Sequence, residues 1–135
     1  MGDRGNIKFV GPTISGEKQG DIYLYTHWCG YNLPAVAQEA VRAAKPRWRD
    51  GSYANRIAIQ KALDVMGATP EKESGFGIST YLEDNEHPII CLDLEGRKAW
   101  VESEEGEVLH IWNDLEDFLA VNAQSWEAFS ESFPN

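Results

Sequence analysis

Residues 34–44, PAVAQEAVRAA, decide how this chain folds, because they place apolar side chains at helical spacing directly after a leucine-proline pair. Pro34 suits the first turn of a helix, and the apolar side chains that follow it recur every three or four residues. A second helical stretch begins near Ser52, a good N-cap residue, and ends at Gly67, a good C′ residue. Together the two stretches predict an alanine-rich helical pair that packs closely.

Short apolar runs separated by turn residues surround this helical pair. The candidate strands are residues 6–10, 21–26, 76–82, 88–94, 97–102 and 108–112. Branched and aromatic side chains in these runs favour strands, and Glu95-Gly96 joins two of them as a hairpin turn. Residues 11–20 and 68–75 carry glycine and polar side chains and are interpreted as loops.

Two patterns in the C-terminal part of the sequence predict further helical structure. Asn113 followed by Glu116 resembles a capping box. The last amphipathic stretch carries Trp126, Phe129 and Phe133. Strands grouped around a central helical pair indicate an α+β fold, with an antiparallel sheet of about five to six strands, a helical pair on one face and a short C-terminal helix. We expect one domain over residues 1–135, because a chain of this length supports one hydrophobic core.

The excess of acidic side chains excludes several classes of partner. The 135 residues include 12 lysines and arginines against 22 aspartates and glutamates, for a formal net charge of −10. This charge argues against direct binding to nucleic acid or to anionic membranes, since both attract basic proteins. The N-terminus is charged and no apolar run reaches the roughly 18 residues of a membrane span, so we expect a cytoplasmic protein without a membrane partner.

Cys29 and Cys91 are the two cysteines of the chain. They lie far apart and form no CxxC pair, so neither a disulfide framework nor a structural zinc site is indicated. Residues 83–87 include acidic side chains and a histidine that could hold a hard cation, but a solvated turn is the stronger interpretation. We therefore expect two free thiols, and neither a metal nor a cofactor.

Basic side chains concentrate in the first half of the chain. Residues 1–70 carry nine basic and six acidic side chains, a balance of +3, whereas residues 71–135 carry three and sixteen, a balance of −13. Six of the cations fall close together, at Arg42, Lys45, Arg47, Arg49, Arg56 and Lys61. One interpretation is a helix C-terminus that favours cations, with solvated side chains paired to the acidic half. The other is a site for phosphate or carboxylate, in which Arg47 and Arg49 flank the Trp48 ring just before a helix start.

Ring-bearing side chains cluster in a second segment, at Tyr23, Tyr25, His27, Trp28 and Tyr31. As core residues, such rings bury a large area and need only a polar exit for their donor groups. As a binding site, rings at positions i and i+2 share one face of a strand and stack a base or a sugar, with His27 donating a hydrogen bond. The sequence leaves both interpretations open.

No motif in the chain identifies a reaction. Residues 75–80, GFGIST, match neither of the glycine-rich phosphate-binding patterns, and the sequence contains no zincin, serine-hydrolase or deaminase signature. Cys29 with His27 or His87 is the only thiol arrangement to consider, and residues i and i+2 in a turn rarely align as nucleophile and base. The sequence favours a protein without catalytic activity.

Two blocks of the chain resemble a family of small uncharacterised proteins of bacteria and their phages. The blocks are residues 22–31 (IYLYTHWCGY) followed by Leu33-Pro34, and residues 75–79 together with residues 84–89. The most specific element is Tyr-x-His-Trp-x-Gly-Tyr, and the similarity extends over residues 5–120. The resemblance implies a compact accessory protein of phage type with no established activity. A glycine is usual in that family at the position of Cys29, which argues further against a cysteine enzyme.

These features predict a non-catalytic binding protein. Residues 23–31 are called the aromatic block below, and residues 42–56 the basic segment. We expect these two segments to line one pocket, within one chain or between two, for a small anionic, ring-bearing ligand such as a nucleotide. The candidate ligand-binding residues are Tyr23, Tyr25, His27, Trp28, Tyr31, Arg47, Trp48, Arg49 and Arg56. A phage protein of this kind could sequester a host signalling nucleotide, such as an immune signal, and a homo-oligomer would deepen the pocket.

Two other functions stay open. An acidic inhibitor would mimic nucleic acid and occupy a basic groove on a host protein through residues 71–135, and its binding should weaken steeply as ionic strength rises. A small nucleotide hydrolase would accept the same ligand class but convert it. Recovery of intact ligand counts against that function.

Overall fold

A six-stranded sheet runs through the centre of the molecule. The structure, a computed structural model, describes residues 2–69 and 75–133. Its strands are β1 (Gly5–Phe9), β2 (Thr13–Ile14), β3 (Glu17–Lys18), β4 (Ile22–Thr26), β5 (Phe76–Ser79), β6 (Ile89–Asp93), β7 (Lys98–Glu102) and β8 (Val108–Trp112). Its helices are α1 (Leu33–Ala44), α2 (Gly51–Val65), α3 (Leu115–Ala120) and α4 (Trp126–Ser130), with 3-10 turns at Gly30–Asn32 and Lys45–Arg47. Within the described ranges, no helix combines the length and the apolar character that a bilayer crossing requires.

The strands follow the order β5-β4-β1-β6-β7-β8 across the sheet. Neighbouring strands are antiparallel except β1 and β6, which run parallel at the centre. The predicted α+β fold is therefore confirmed, with a mostly antiparallel sheet, a helical pair and a short C-terminal helix. The parallel pair is a departure from the antiparallel sheet we expected. It arises because the chain crosses from β5 past β4 and β1 before β6 begins, so that β6 enters the sheet in the direction of β1.

Two of the predicted segments differ in detail from the structure. Residues 11–20, interpreted as a loop, contain a small antiparallel ribbon of β2 and β3. β5 ends at Ser79, before the end of the predicted strand 76–82. The loop predicted over residues 68–75 lies largely outside the described residues, which resume at residue 75.

The two faces of the sheet have different surroundings. Ile7, Phe9 and Leu24 point towards the helices and are completely or almost completely buried. Because side chains alternate along a strand, their neighbours Lys8 and Tyr23 lie on the opposite face, away from the helices. This opposite face is called the open face below.

α1 and α2 form the predicted helical pair. α1 packs on the central strands β1 and β6, whereas α2 packs mainly against α1. Six fully buried alanines are distributed over the two helices, at Ala37, Ala40, Ala44, Ala54, Ala58 and Ala62. A methyl group occupies little space, so helices that meet through alanines approach closely. α2 is thus held beside α1 rather than pressed onto the sheet.

The start of α2 is displaced from the predicted position. Asp50, not Ser52, occupies the N-cap position, and Ser52 lies inside the first turn. The Asp50 carboxylate accepts a hydrogen bond from Arg47 at 2.8 Å and makes no capping bond. At the other end, Gly67 has a φ of +79°, the left-handed conformation expected of a C′ glycine.

The start of α3 is also shifted by one residue. The Asp114 carboxylate accepts a hydrogen bond from Glu116 N at 3.0 Å, so Asp114 is the N-cap residue. The prediction of Asn113 in this role is wrong, because the extended residue that precedes the helix is Asp114.

Trp48 closes the end of the helical pair. Its side chain is part of the core, with the residue only 5% exposed, and its Nε1 donates to Val41 O at 2.9 Å. The charged groups of Lys45 and Arg97 lie 5.8 and 5.2 Å from the ring centroid. Trp48 is therefore a core residue covered by cations.

Replacing Trp48→Phe should lower the free energy of unfolding by about 1–3 kcal/mol, because the change removes buried volume and the hydrogen bond to Val41 O. The matched control is Trp28→Phe, which changes a half-exposed indole and should cost no more than about 0.5 kcal/mol. Urea denaturation followed by circular dichroism measures both. Equal costs for the two variants would contradict the core assignment of Trp48.

Candidate functional site

The aromatic block is divided between the open face of the sheet and the loop after β4. Tyr23 and Tyr25 are partly buried on the open face, whereas Trp28 and Tyr31 are 50% and 63% exposed. The Tyr25 hydroxyl and His27 Nδ1 lie within hydrogen-bond distance, at 2.9 Å. Burial is the largest cause of the raised pKa of Tyr25. The rings therefore do not form one continuous stacking surface.

His27 and Trp28 are held by contacts with the backbone around them. Their rings meet edge to face at 4.4 Å, and His27 N donates to Gly75 O at 2.7 Å. A Cβ at Gly75 would lie 2.6 Å from the Trp28 indole, and the Gly75 φ of +91° also favours glycine. Gly75 thus allows the backbone to approach the Trp28 ring closely.

Lys8 occupies the centre of the open face. Its Nζ lies 3.3 Å from Glu102 Oε2 and 3.8 Å from Asp21 Oδ2. Burial alone would lower the pKa of Lys8, but its interactions with Cys91 and Glu102 outweigh burial and raise the pKa. The lysine is charged and already neutralised by carboxylates. An anionic ligand beside Tyr23 would therefore find Lys8 already paired with carboxylates.

The basic segment is only partly engaged in ion pairs. Arg42 pairs with Glu39 at 3.2 Å, Lys45 pairs with Glu116 at 2.5 Å, and Arg47 pairs with Asp50 at 2.8 Å. The Arg47 guanidinium also lies 5.3 Å from the centre of the Tyr53 ring. Arg49, Arg56 and Lys61 have no carboxylate partner within 4 Å among residues 2–69 and 75–133.

The loop residues of the aromatic block and the residues around Trp48 lie at opposite ends of α1. Residues 27–31 precede the helix and residues 47–49 follow it, and twelve helical residues span about 18 Å. Tyr23 and Tyr25 are further separated from the basic segment because they lie on the open face. Within one chain, α1 therefore separates residues 27–31 from residues 47–49. A pocket that the aromatic block and the basic segment line together, within one chain or between two, stays a prediction.

The predicted stacking role of Trp48 also meets a structural obstacle. Its ring is enclosed by the core and by Lys45 and Arg97. A ring buried in this way has no face open to a ligand. The ligand-binding roles of the exposed candidates, Trp28 and Tyr31 among them, stay predictions.

A hollow of about 440 Å³ lies between α2 and the outer strands of the sheet. Its apolar walls are Ile22 from β4, Ile78 from β5 and Ile59 from α2. Arg56 and Gln60 also line it, and the Arg56 guanidinium donates to Gln60 Oε1 at 2.5 Å. Arg56 is thus the one candidate ligand-binding residue that lines this hollow, which is called the α2 groove below.

Asn55 brings a buried amide to the α2 groove. Its Nδ2 donates to Val10 O at 3.1 Å, which fixes the orientation of the side chain. Its Oδ1 is buried and has no hydrogen-bond partner among the described residues. Asn6 Oδ1 is the other buried side-chain oxygen without a partner among the described residues, although buried polar atoms in folded proteins almost always have one.

A second hollow of about 300 Å³ continues the groove towards the start of α2. The two hollows share Pro12 and Ser52, and Arg49 and Glu95 line the second. Glu95 Oε2 accepts a hydrogen bond from Thr13 N at 3.0 Å. This end of the groove therefore carries both signs of charge, whereas the first hollow has Arg56 as its charged lining residue.

A side-chain cluster around Asp3 joins residues that no sequence motif connects. Asp3 Oδ1 lies 2.6 Å from His87 Nε2, and Asp3 Oδ2 accepts a hydrogen bond from Tyr31 N at 2.7 Å. The His87 ring stacks on Trp126, whose Nε1 donates to Gly30 O at 2.7 Å. The cluster joins the N-terminus, the aromatic block and α4. No local signal could reveal it, because its members are far apart in the sequence.

The described residues contain no group of three or more histidine, cysteine, aspartate or glutamate side chains placed to hold a metal ion. Within residues 83–87, Asp84 and Glu86 pair with Arg4 at 3.4 and 3.3 Å, and His87 pairs with Asp3. These pairings account for the acidic turn without a cation.

Comparisons with protein families, with curated proteins and with solved structures found no match to this chain.

Cys29 and Cys91 are both free thiols, as predicted, and they differ in burial. Burial, with a further contribution from Glu102, raises the pKa of Cys91 far above its usual value, and the residue is completely buried. At about pH 8, Ellman's reagent should titrate the partly exposed Cys29 of the native protein rapidly and Cys91 only on unfolding. Cys29→Ser is the control, and it should leave no fast-reacting thiol. Rapid reaction of two thiols in the native protein would contradict the buried position of Cys91.

Proposed function

We propose that this chain is a non-catalytic binding protein that holds a small anionic, ring-bearing ligand, such as a nucleotide, in the α2 groove. The arrangement around Arg56 carries this proposal. Its guanidinium, without a carboxylate partner among the described residues, belongs to a residue that lines an apolar hollow. The proposal keeps the ligand class predicted from the sequence and moves its site.

The size and the walls of the groove support a small-molecule ligand. Its first hollow measures about 440 Å³, within the roughly 300–1,000 Å³ typical of ligand pockets. Ile22, Ile59 and Ile78 offer apolar surface to a flat ring or an aliphatic body. Few polar groups interrupt this surface, so they would orient a ligand more than they would attract it.

The pairing of the cations supports an anionic group on that ligand. In a chain of net charge −10, acids are abundant, and Arg42, Lys45 and Arg47 each have one as a partner. Arg56, which lines the α2 groove, and Arg49, which lines the neighbouring second hollow, have no such partner among the described residues. A guanidinium fork binds phosphate or carboxylate through two parallel hydrogen bonds, so these arginines are suited to an anion.

A protein that binds this ligand without converting it sequesters the ligand. If the resemblance to phage proteins holds, the ligand would be a host signalling nucleotide. A homo-oligomer belongs to the same proposal, because a second chain could bring the exposed rings of Trp28 and Tyr31 to the groove.

An acidic inhibitor of a host protein is the second candidate function. The edge strand β8 exposes Val108, Leu109 and Ile111. Acidic side chains precede it at Glu104, Glu105 and Glu107. An apolar strip beside carboxylates is complementary to a basic partner surface that also has apolar contacts.

Replacing Arg56→Gln should weaken binding of the ligand by about tenfold or more, because a charge-assisted hydrogen bond contributes about 1.5–3 kcal/mol. Isothermal titration of the four common ribonucleoside 5′-monophosphates measures the effect. Arg42→Gln is the matched control, because this substitution removes the same charge from an exposed ion pair away from the groove. Its affinity should stay within about twofold of the unchanged protein.

The same samples also test whether the proposed site exists and whether the protein is a nucleotide hydrolase. Absence of binding at millimolar nucleotide, or equal losses for the Arg56 and Arg42 variants, would contradict the proposed site. Nucleotide recovered with its phosphate removed would indicate the hydrolase.

A further inference from the structure

We infer that the edge strand β8 binds an extended, basic segment of a partner protein, which adds to the six-stranded sheet as a further strand. The inference goes beyond the α2 groove and does not depend on it. It gives the acidic-inhibitor function a specific mode of binding, in which backbone hydrogen bonds join the two chains and charge selects the partner.

The outer side of β8 is open to a further strand. β8 is the last strand of the sheet and pairs with β7 on its inner side. Ser103 N, directly after β7, donates to Glu107 O at 2.8 Å, so the residues of β7 in step with Ser103 direct their backbone groups towards β8. Those residues face His110 and Trp112, which leaves the N–H and C=O groups of Ile111 directed outwards. Within the described ranges, no other segment makes a backbone–backbone hydrogen bond to β8.

The side chains of β8 do not protect this edge. Val108, Leu109 and Ile111 are 41–48% exposed. The strand contains no lysine, proline or acidic residue, the groups that usually keep an exposed edge from pairing. A β-bulge lies at the start of β8, so its regular edge begins at His110. A partner strand therefore finds a short, apolar edge after the bulge.

Carboxylates surround both ends of this edge. Exposed acidic residues precede β8 at Glu104, Glu105 and Glu107 and follow it at Asp114 and Asp117. None of them has a cationic partner within 4 Å among the described residues. These carboxylates are available to the lysine and arginine side chains of a partner, which gives the edge its charge complementarity.

A hollow of about 260 Å³ beside the start of β8 offers one such cation a defined place. Its lining includes Leu109 of β8 and three acidic residues, Glu86, Glu104 and Glu105. Glu86 already pairs with Arg4 at 3.3 Å, whereas the other two have no such partner among the described residues. The hollow therefore suits a lysine or arginine side chain whose aliphatic stem contacts Leu109 and whose charged group meets carboxylates.

The charge distribution favours a basic partner over a second copy of this chain. Two β8 strands side by side would bring together the acidic residues that flank each of them, in chains that each carry a net charge of −10. Like charges in close contact oppose association. A basic segment meets attraction at the same positions.

The test uses an acetylated and amidated peptide, Lys-Lys-Val-Thr-Val-Thr-Lys-Lys, which has the stated chemistry. Backbone hydrogen bonds and charge do not depend on the exact sequence, so the peptide should bind the unchanged protein with a Kd below about 1 mM. Binding should shift the amide signals of residues 108–112 in nuclear magnetic resonance. Two control peptides, one N-methylated at its central residues and one with glutamate in place of lysine, should each bind about tenfold more weakly.

Several results would overturn the inference. They are the absence of binding at millimolar peptide, shifts confined to residues outside β8, and equal affinities of the three peptides. A dimer of the protein alone whose signals from residues 108–112 change on dilution would also overturn it, because a second copy would then cover the strand. None of these results bears on nucleotide binding in the α2 groove, which is measured separately.

Two variants assign the binding to the outer backbone of β8. Ile111→Pro removes the outward N–H donor and leaves the hydrogen bonds to β7 in place, since proline is tolerated where the N–H of an edge strand faces solvent. Ile111→Ala is the matched control, because it loses the same side-chain contacts but keeps the donor. The peptide should bind Ile111→Pro about fivefold more weakly than Ile111→Ala.

Thermal unfolding checks that both variants are folded. Equal affinities of the two folded variants would overturn the inference. If Ile111→Pro does not fold, the N-methylated peptide and the unchanged protein decide the same question, because that peptide removes the donors from the other side of the interface.

Discussion

The close contact between α1 and α2 is the constraint on which the rest of the structure depends. Six alanines are buried along these helices, so α2 is held beside α1 and does not spread over the outer strands. Larger side chains on this interface would move α2 relative to β4 and β5. The space that α2 leaves over Ile22 and Ile78 is the α2 groove. The apolar hollow is thus a consequence of helix packing.

The distribution of charge has a similar structural origin. Burial of Lys8 between strands requires compensation, and Glu102 and Asp21 provide it. Other cations on the first helix and its C-terminal turn are paired at the surface, where such pairs contribute little to stability. Arg56 differs because it lines an apolar hollow and its recorded hydrogen-bond partner is the neutral Gln60. An anionic ligand would therefore compete with few carboxylates of the described residues for the Arg56 guanidinium.

Local patterns in the sequence predicted the elements but not their arrangement around the site. The alanine periodicity before Lys45 and the Glu95-Gly96 turn depend on neighbours in the chain, and the helical pair and the hairpin follow from them. The parallel pairing of β1 with β6 and the contact of Asp3 with His87 depend on residues far apart, which a local pattern does not encode.

Among the candidate ligand-binding residues, Arg56 lines the α2 groove and Arg49 lines the second hollow, whereas the aromatic block lines neither. The composition of the basic segment was informative, but the spacing along the chain could not show that α1 separates it from the rings. Asn55 carried no signal, because an asparagine within a helix is ordinary until its oxygen is seen to be buried without a partner.

The most direct test of the account is to locate a bound ring-bearing anion on the protein by amide chemical-shift mapping with indole-3-acetate. The account predicts that the largest shifts fall in residues 11–12, 52–60 and 78, which surround the α2 groove. Shifts concentrated in residues 23–31, with the α2 residues unchanged, would contradict it and would return the site to the aromatic block.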